Sequence, residues 1–151
     1  MTKELLTLAI AMTPIGELRV AIPIAIAVYH LPPLSAFFWA FLGNLIPGVF
    51  LLWVLEPLTR YLDDHFYVLN RFFAWLFERT RRKHSHKFEY WGALALIGFV
   101  AIPLPMTGVW SGAVAAFVFG IPFKKALFCL TVGAFIAGVI VTLATLGVLK
   151  I

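Results

Sequence analysis

The sequence predicts an all-α membrane protein built as an inverted repeat, each half a re-entrant helical hairpin followed by a transmembrane helix, with a cytoplasmic amphipathic helix connecting the halves. Three observations lead there. Of the 151 residues 62% are hydrophobic and only 13% charged, which lies outside the range of a soluble domain. Prolines interrupt apolar segments near residues 14 and 103, where a spanning helix would otherwise run. Two further apolar stretches, 34–56 and 122–149, each follow such an interruption and are long enough to cross a bilayer, which takes about 20 helical residues. The chain is expected to form one membrane domain over 1–151, with the first repeat at 1–56, the connector at 57–87 and the second repeat at 88–151.

The most informative stretch is 102–112, IPLPMTGVWSG. Pro103 and Pro105 lack an N–H and push the residues before them out of the helical region, so the incoming helix must stop near Ile102. Thr107 is the expected N-cap of a second helix that runs to Gly120, and the whole of 88–120 reads as a re-entrant segment. Non-helical backbone at membrane depth is tolerated only against protein or a water-filled cavity, so this break is one wall of a candidate site. The plainer alternative is a proline kink in an ordinary span.

At the start of the chain, 3–12 is an apolar stretch too short to span, broken by Thr13-Pro14-Ile15-Gly16. A second short piece from Glu17 is expected to be interrupted at Pro23 and to end at His30, so that 3–30 forms a re-entrant hairpin or one poor crossing. The span that follows carries Asn44, Pro47 and Gly48 and is expected to end at Glu56-Pro57. From Leu58 to Arg82 apolar residues recur at helical spacing among charges, the pattern of a helix lying in the membrane interface. A cleavable signal peptide is not expected, because the first apolar run leads into a proline and Glu17-Leu18-Arg19 rather than a small-residue cleavage site.

Offsetting the chain by 90 positions lays Pro32 on Pro122, Ala36 on Ala126, Gly43 on Gly133 and Gly48 on Gly138, and an offset of 92 lays Gly16 on Gly108. A re-entrant hairpin makes no net crossing and the helix after it makes one, so the second half must be inverted relative to the first. The basic residues agree. Arg60, Arg71, Arg79, Arg81, Arg82, Lys83, Lys87, Lys124 and Lys125 fall on one predicted side, and only Lys3 and Lys150 on the other. The positive-inside rule then places the connector in the cytoplasm, against anionic lipid headgroups, and both termini outside. That placement also accounts for the net charge of +5 without nucleic acid.

The remaining basic residue, Arg19, lies beside Glu17 in the first break. Ionisable residues at membrane depth mark functional sites by default. Two positions apart, the pair is not expected to form a salt bridge on a regular helix, so each is expected to look across a cavity. Arg19 alternatively snorkels to the headgroups. The outgoing halves of both hairpins begin at the breaks and should aim unpaired N–H groups at the midplane, an anion site to which Arg19, Thr107, Gly108 and Ser111 add donors. Phosphate suits Arg particularly well. Burial disfavours the charged form of a carboxylate, which makes Glu17 the candidate proton-coupling residue; paired instead, it is structural. Asn44 lines the same cavity or makes an interhelical hydrogen bond at a kink. Pro14, Pro23, Pro103 and Pro105 are the helix breaks. His84 and His86 sit in a basic run, Asp63 and Asp64 on an exposed face, and Cys129 is alone, so no metal or other cofactor is expected. Nor is an enzyme, since no nucleophile and base fall in one segment.

The segments PIGELRVAIP and AIPLPMTGVWSGA, separated by the basic connector, resemble the bacterial and archaeal small multidrug export proteins over nearly the whole chain. That family is similar to the DedA/VTT superfamily, so the resemblance implies two opposed re-entrant hairpins in a bacterial or archaeal cell membrane and, in several DedA proteins, movement of lipids. Glu17 matches the acidic residue that follows their first proline-rich break. Their arginines near the second break have no counterpart here, where Ser111 stands opposite Arg19 and no Arg lies between Lys87 and Lys124. The leading expectation is translocation of an anionic, polyprenyl-phosphate-type lipid with a proton or sodium as coupling ion. The alternatives are export of hydrophobic cations and a non-transporting membrane scaffold. The small volume enclosed by so few spans makes a homodimer an expected partner state.

Overall fold

The computed structural model describes residues 2–65, 68, 71, 72, 74, 75, 78 and 86–151. It is all-helical, with no strand among the described residues. Helix α1 is Lys3–Met12, α2 Glu17–Ala27, α3 Pro33–His65, α4 His86–Ala101, α5 Val109–Val118 and α6 Phe123–Leu149. At about 1.5 Å per residue, the 10 residues of α1, the 11 of α2 and the 10 of α5 each rise roughly half the thickness of a hydrocarbon core. Among the described residues, two helices are long and apolar enough to cross a membrane, over Pro33–Leu58 and Phe123–Leu149.

The short helices end where proline chemistry requires. Thr13 precedes Pro14 and is extended, with φ −75° and ψ 144°, which stops α1 at Met12. Past Ala101 the Pro103-Pro105 pair prevents continuation, and Ile102 donates the last helical bond of α4, to the Gly98 carbonyl at 3.0 Å. The two outgoing helices stop alike. Gly120, at φ 67°, lets Ile121 N–H reach back to the Ala116 carbonyl at 2.9 Å, and His30, at φ 54°, lets Leu31 N–H reach the Ala25 carbonyl at 2.9 Å. These two turns fall at positions that the 90-residue offset superposes.

Two expected boundaries are corrected. Pro23 does not interrupt α2, which runs through it to Ala27; the proline only deprives the Arg19 carbonyl of its i+4 donor. Likewise α3 does not end at Glu56-Pro57 but continues to His65. Pro57 costs the helix one bond, at a level where Trp53, Glu56 and Leu58 are exposed and water or headgroups can serve the freed carbonyl. The rest of the expected connector lies mostly outside the described residues.

The incoming helix of each hairpin packs on the long helix of its own half, α1 on α3 and α4 on α6. The outgoing helices also reach across, α2 to α6 and α5 to α3, and the two long helices pack on each other. Small residues permit this closeness. Ala21, Ala25, Ala40, Ala113, Ala116 and Ala134 are fully buried. A Cβ on Gly43 would strike the backbone carbonyl of Leu8 in α1, and one on Gly133 would meet Val100 and the Ile97 carbonyl in α4. Large apolar side chains turn outward instead. Phe38, Trp53, Phe128 and Leu143 are all more than half exposed, a surface suited to lipid.

This packing predicts that Gly43→Ala lowers the midpoint of thermal unfolding in detergent, by a destabilisation of about 1–3 kcal/mol. Gly147→Ala, with nothing within 4 Å of the added carbon, leaves the midpoint unchanged.

Candidate functional site

The two breaks come together where the start of α2 meets the start of α5. Glu17 opens α2 with φ 40°, an uncommon conformation for a non-glycine residue, and the residue is 5% exposed. Its carboxylate lies against Gly108 at the start of α5, where the backbone N–H of Trp110 faces it. The N-cap of that helix is Gly108, which has no side chain to serve the first N–H groups. Glu17 therefore caps α5 from another helix, placing its negative charge at the positive end of the dipole. Gly108 is required by contact, because a Cβ there would overlap the carboxylate.

Trp110 also closes the loop in the opposite direction. Its indole Nε1–H donates to the Met12 carbonyl at 3.2 Å, one of the carbonyls left over at the C-terminus of α1. One residue thus ties the end of α1 and the start of α2 to the start of α5. Each break is further closed by a threonine. Thr13 Oγ1 donates to the Ile10 carbonyl at 2.7 Å and accepts from Gly16 N–H at 2.9 Å. Thr107 Oγ1 lies 2.7 Å from the Ile102 carbonyl and 2.8 Å from that of Leu104, and accepts from Leu104 N–H at 3.1 Å. With a single proton, it donates to one of these carbonyls at a time. Thr107 is accordingly not the N-cap of α5, as its position suggested. Its hydroxyl faces back into the turn made by the two prolines.

Arg19 and Glu17 do pair, at 3.2 Å between Nη2 and Oε2. The expectation that residues two apart cannot meet holds for a regular helix, and the positive φ of Glu17 removes it from one. The Arg19 side chain remains 24% exposed, and Glu17 takes one of the five guanidinium N–H donors, which leaves others for a further partner. The anion site expected at the two hairpin N-termini is therefore filled from within, by Glu17 at α5 and by the Thr13 hydroxyl at α2.

Glu17, Arg19, Asn44, Thr107 and Gly108 all line one cavity. Its apolar walls include Val100 and Pro103 from the second hairpin and Ala134 and Ala137 from α6. Its volume of about 10 Å³ is that of a single water. Asn44, 2% exposed, presents to this region a buried Oδ1 that has no hydrogen-bond partner. Ser111 is not among the lining residues; it sits a turn into α5, its hydroxyl 3.4 Å from the Gly108 carbonyl. Pro14 and Pro105 likewise shape the breaks without lining the cavity. Among the described residues no group of three or more His, Cys, Asp or Glu side chains gathers at one place.

Sequence reasoning overlooked Trp110. The available signal was its indole N–H, a donor that needs an acceptor when it is placed among apolar residues.

The family model described as "Putative small multi-drug export protein" matches residues 17–140, from the Glu17 that opens the site to beyond the walls supplied by α6. The chain belongs to that family. None of the curated proteins matches the chain, and none of the solved structures does. With its two long apolar helices, this member of the small multi-drug export family is a membrane protein.

The contact between Gly108 and Glu17 predicts strong coupling. Gly108→Ala alone is expected to destabilise the protein by more than about 2 kcal/mol, as overpacking against a buried group does. In the background of Glu17→Ala the same substitution should cost less than half as much. The check is a double-mutant cycle on thermal unfolding in detergent, and additive effects would contradict the contact.

Proposed function

We propose that the protein is a proton-coupled membrane translocase for an anionic amphiphile, with a headgroup of the phosphate ester class carried by polyprenyl phosphates. The observation that carries this reading is the charge arrangement at the breaks. Glu17 is already neutralised by Arg19 and by the α5 N-terminus, whereas Arg19 keeps N–H donors for a further partner. A phosphate ester can exchange with the carboxylate as the partner of a guanidinium, since both accept two parallel hydrogen bonds. The apolar outer surface leaves room for a hydrocarbon tail in the bilayer while the headgroup passes between the breaks. A one-water cavity fits an occluded state through which the headgroup must open a path. The coupling ion is a proton on this reading, because one carboxylate and one amide oxygen beside a guanidinium suffice for a proton but make a poor sodium shell.

The short helices and the crossed packing support opposed re-entrant hairpins and an inverted repeat, the architecture in which transporters place substrate at broken helices near the midplane. On this reading the connector faces the cytoplasm and the termini lie outside.

The family description favours a second reading, export of hydrophobic cations. For that substrate Glu17 has to release Arg19 and bind the cation itself.

The two readings separate in proteoliposomes. For the anionic reading, Arg19→Ala and Glu17→Gln, both verified as folded, are expected to slow translocation of a fluorescent polyprenyl phosphate at least tenfold, the loss associated with one charged hydrogen bond of about 1.5–3 kcal/mol. For the cationic reading, tetraphenylphosphonium movement is lost in Glu17→Gln and retained in Arg19→Ala. Wild-type lipid translocation by both variants would overturn the anionic reading.

A further inference from the structure

Asn44 is the unexplained member of the site. A buried amide oxygen without a donor is destabilising and is expected to have a reason. It belongs to the middle of α3, it is 2% exposed, and it lines the same one-water cavity as the Glu17 carboxylate. An ionised carboxylate is acceptor-only and has nothing to offer another acceptor. A protonated carboxyl has one O–H to donate, and an amide oxygen is a suitable receiver.

We propose that Asn44 Oδ1 is the acceptor that holds a proton on Glu17, through the single water the cavity accommodates, and that taking up this proton releases Arg19 to an anion. The inference rests on the anionic reading of the site for its second half only. In the ionised state Glu17 is shared by Arg19 and Trp110 N–H. On protonation its O–H donates to the water, the water donates to Asn44 Oδ1, and Trp110 N–H keeps the other carboxyl oxygen. Arg19 then loses its partner and presents its full charge to a headgroup. Since an ionised Glu17 and a substrate anion compete for the single charge of Arg19, proton and anion bind with positive cooperativity, each raising the affinity of the other by the same factor.

Among the described residues, no other titratable group lines the cavity. Glu17 and Arg19 are the charged residues that α2 brings to it; α3 contributes Asn44, the second break Thr107 and Gly108, and α6 only alanines. Of the helices packed on α2, α1 adds no lining residue, and its Lys3 is engaged at the far end with the Tyr29 carbonyl at 3.0 Å.

Infrared pH titration of the full chain in nanodiscs tests the first half. A protonated-carboxyl band that is absent from Glu17→Gln reports Glu17. In Asn44→Leu its midpoint should fall by about one pH unit, a tenfold loss of proton affinity equal to one hydrogen bond. Asn44→Ser, which keeps an acceptor, should titrate like wild type. If Asn44 acts only by making the site more polar, the leucine raises the midpoint, and a rise, no change, or no Glu17 band in wild type would overturn the proposal. One version needs no substitution at position 44: with Asn70→Gln, Asn44 is the sole asparagine, and its isotope-labelled amide carbonyl band must shift as the Glu17 band appears.

The second half is read by calorimetry with dioctyl phosphate, a diester whose charge is constant near neutral pH. Wild type should take up about one proton for each diester bound and bind more tightly on acidification. Glu17→Gln should bind without proton uptake and independently of pH. Binding without proton uptake in wild type overturns the release of Arg19. Failure of every variant to bind overturns the anionic reading instead, while the infrared result still decides the role of Asn44.

Discussion

The structure depends on one constraint: backbone that leaves a helix among apolar surroundings has to find partners inside the protein. Two prolines in the second break and one in the first create that demand. Glu17, Gly108 and Trp110 answer it together. A buried carboxylate by itself costs several kcal/mol, and so does an uncapped helix start in apolar surroundings. Placed against each other, the two liabilities offset, and the indole of Trp110 removes a third by bonding the end of α1. The positive φ at Glu17, a strain of about 1–3 kcal/mol, is sustained because neighbours on both sides determine it. A rigid junction between the two breaks is the result, and it contains the site's ionisable pair.

Packing places that junction. Because each outgoing helix reaches the long helix of the opposite half, the start of α2 and the start of α5 must pass close together. Alanine and glycine at the crossings set how close. In a soluble protein such a core would be weak for want of large side chains. In a membrane, where burying apolar surface yields nothing between helices, close approach of backbones is the available source of cohesion. Half-buried aromatic residues of α3 meet the exposed Phe135 of α6 along the seam of the long helices, with Phe37 edge-on to Phe135 at 5.4 Å and stacked on Phe41 at 5.8 Å. They stiffen the α3–α6 pair against which both hairpins lean.

Much of this was legible in the residues. Composition indicated a membrane protein, and Pro14, Pro103 and Pro105 marked where helices stop, because the proline ring acts locally, on its own N–H and on the residue before it. Pro23 and Pro57 were misread for the complementary reason: one lost hydrogen bond ends a helix only when nothing else holds it, and the neighbours that hold α2 and α3 are distant in sequence. The site residues Glu17, Arg19, Asn44, Thr107 and Gly108 could be named from their types and their positions beside the breaks, and the structure gathers them around one cavity. Their partners could not be read. The Glu17–Arg19 pair needs a backbone angle that no spacing rule contains, and the roles of Thr107 and Trp110 follow from which helix end each faces. Ser111 illustrates the same limit, since one turn of helix carries it away from the cavity.

Amide hydrogen exchange over 108–111 in lipid nanodiscs tests the central claim most directly, by comparing wild type with Glu17→Ala. If Glu17 caps α5 from across the molecule, the alanine variant exchanges faster at Val109 and Trp110 by at least tenfold, with 13–16 following and the middle of α3 unchanged, as expected for local opening of a stretch that has lost its cap. Equal exchange in the two proteins would mean that the breaks are held by other contacts and that the junction described between them does not exist.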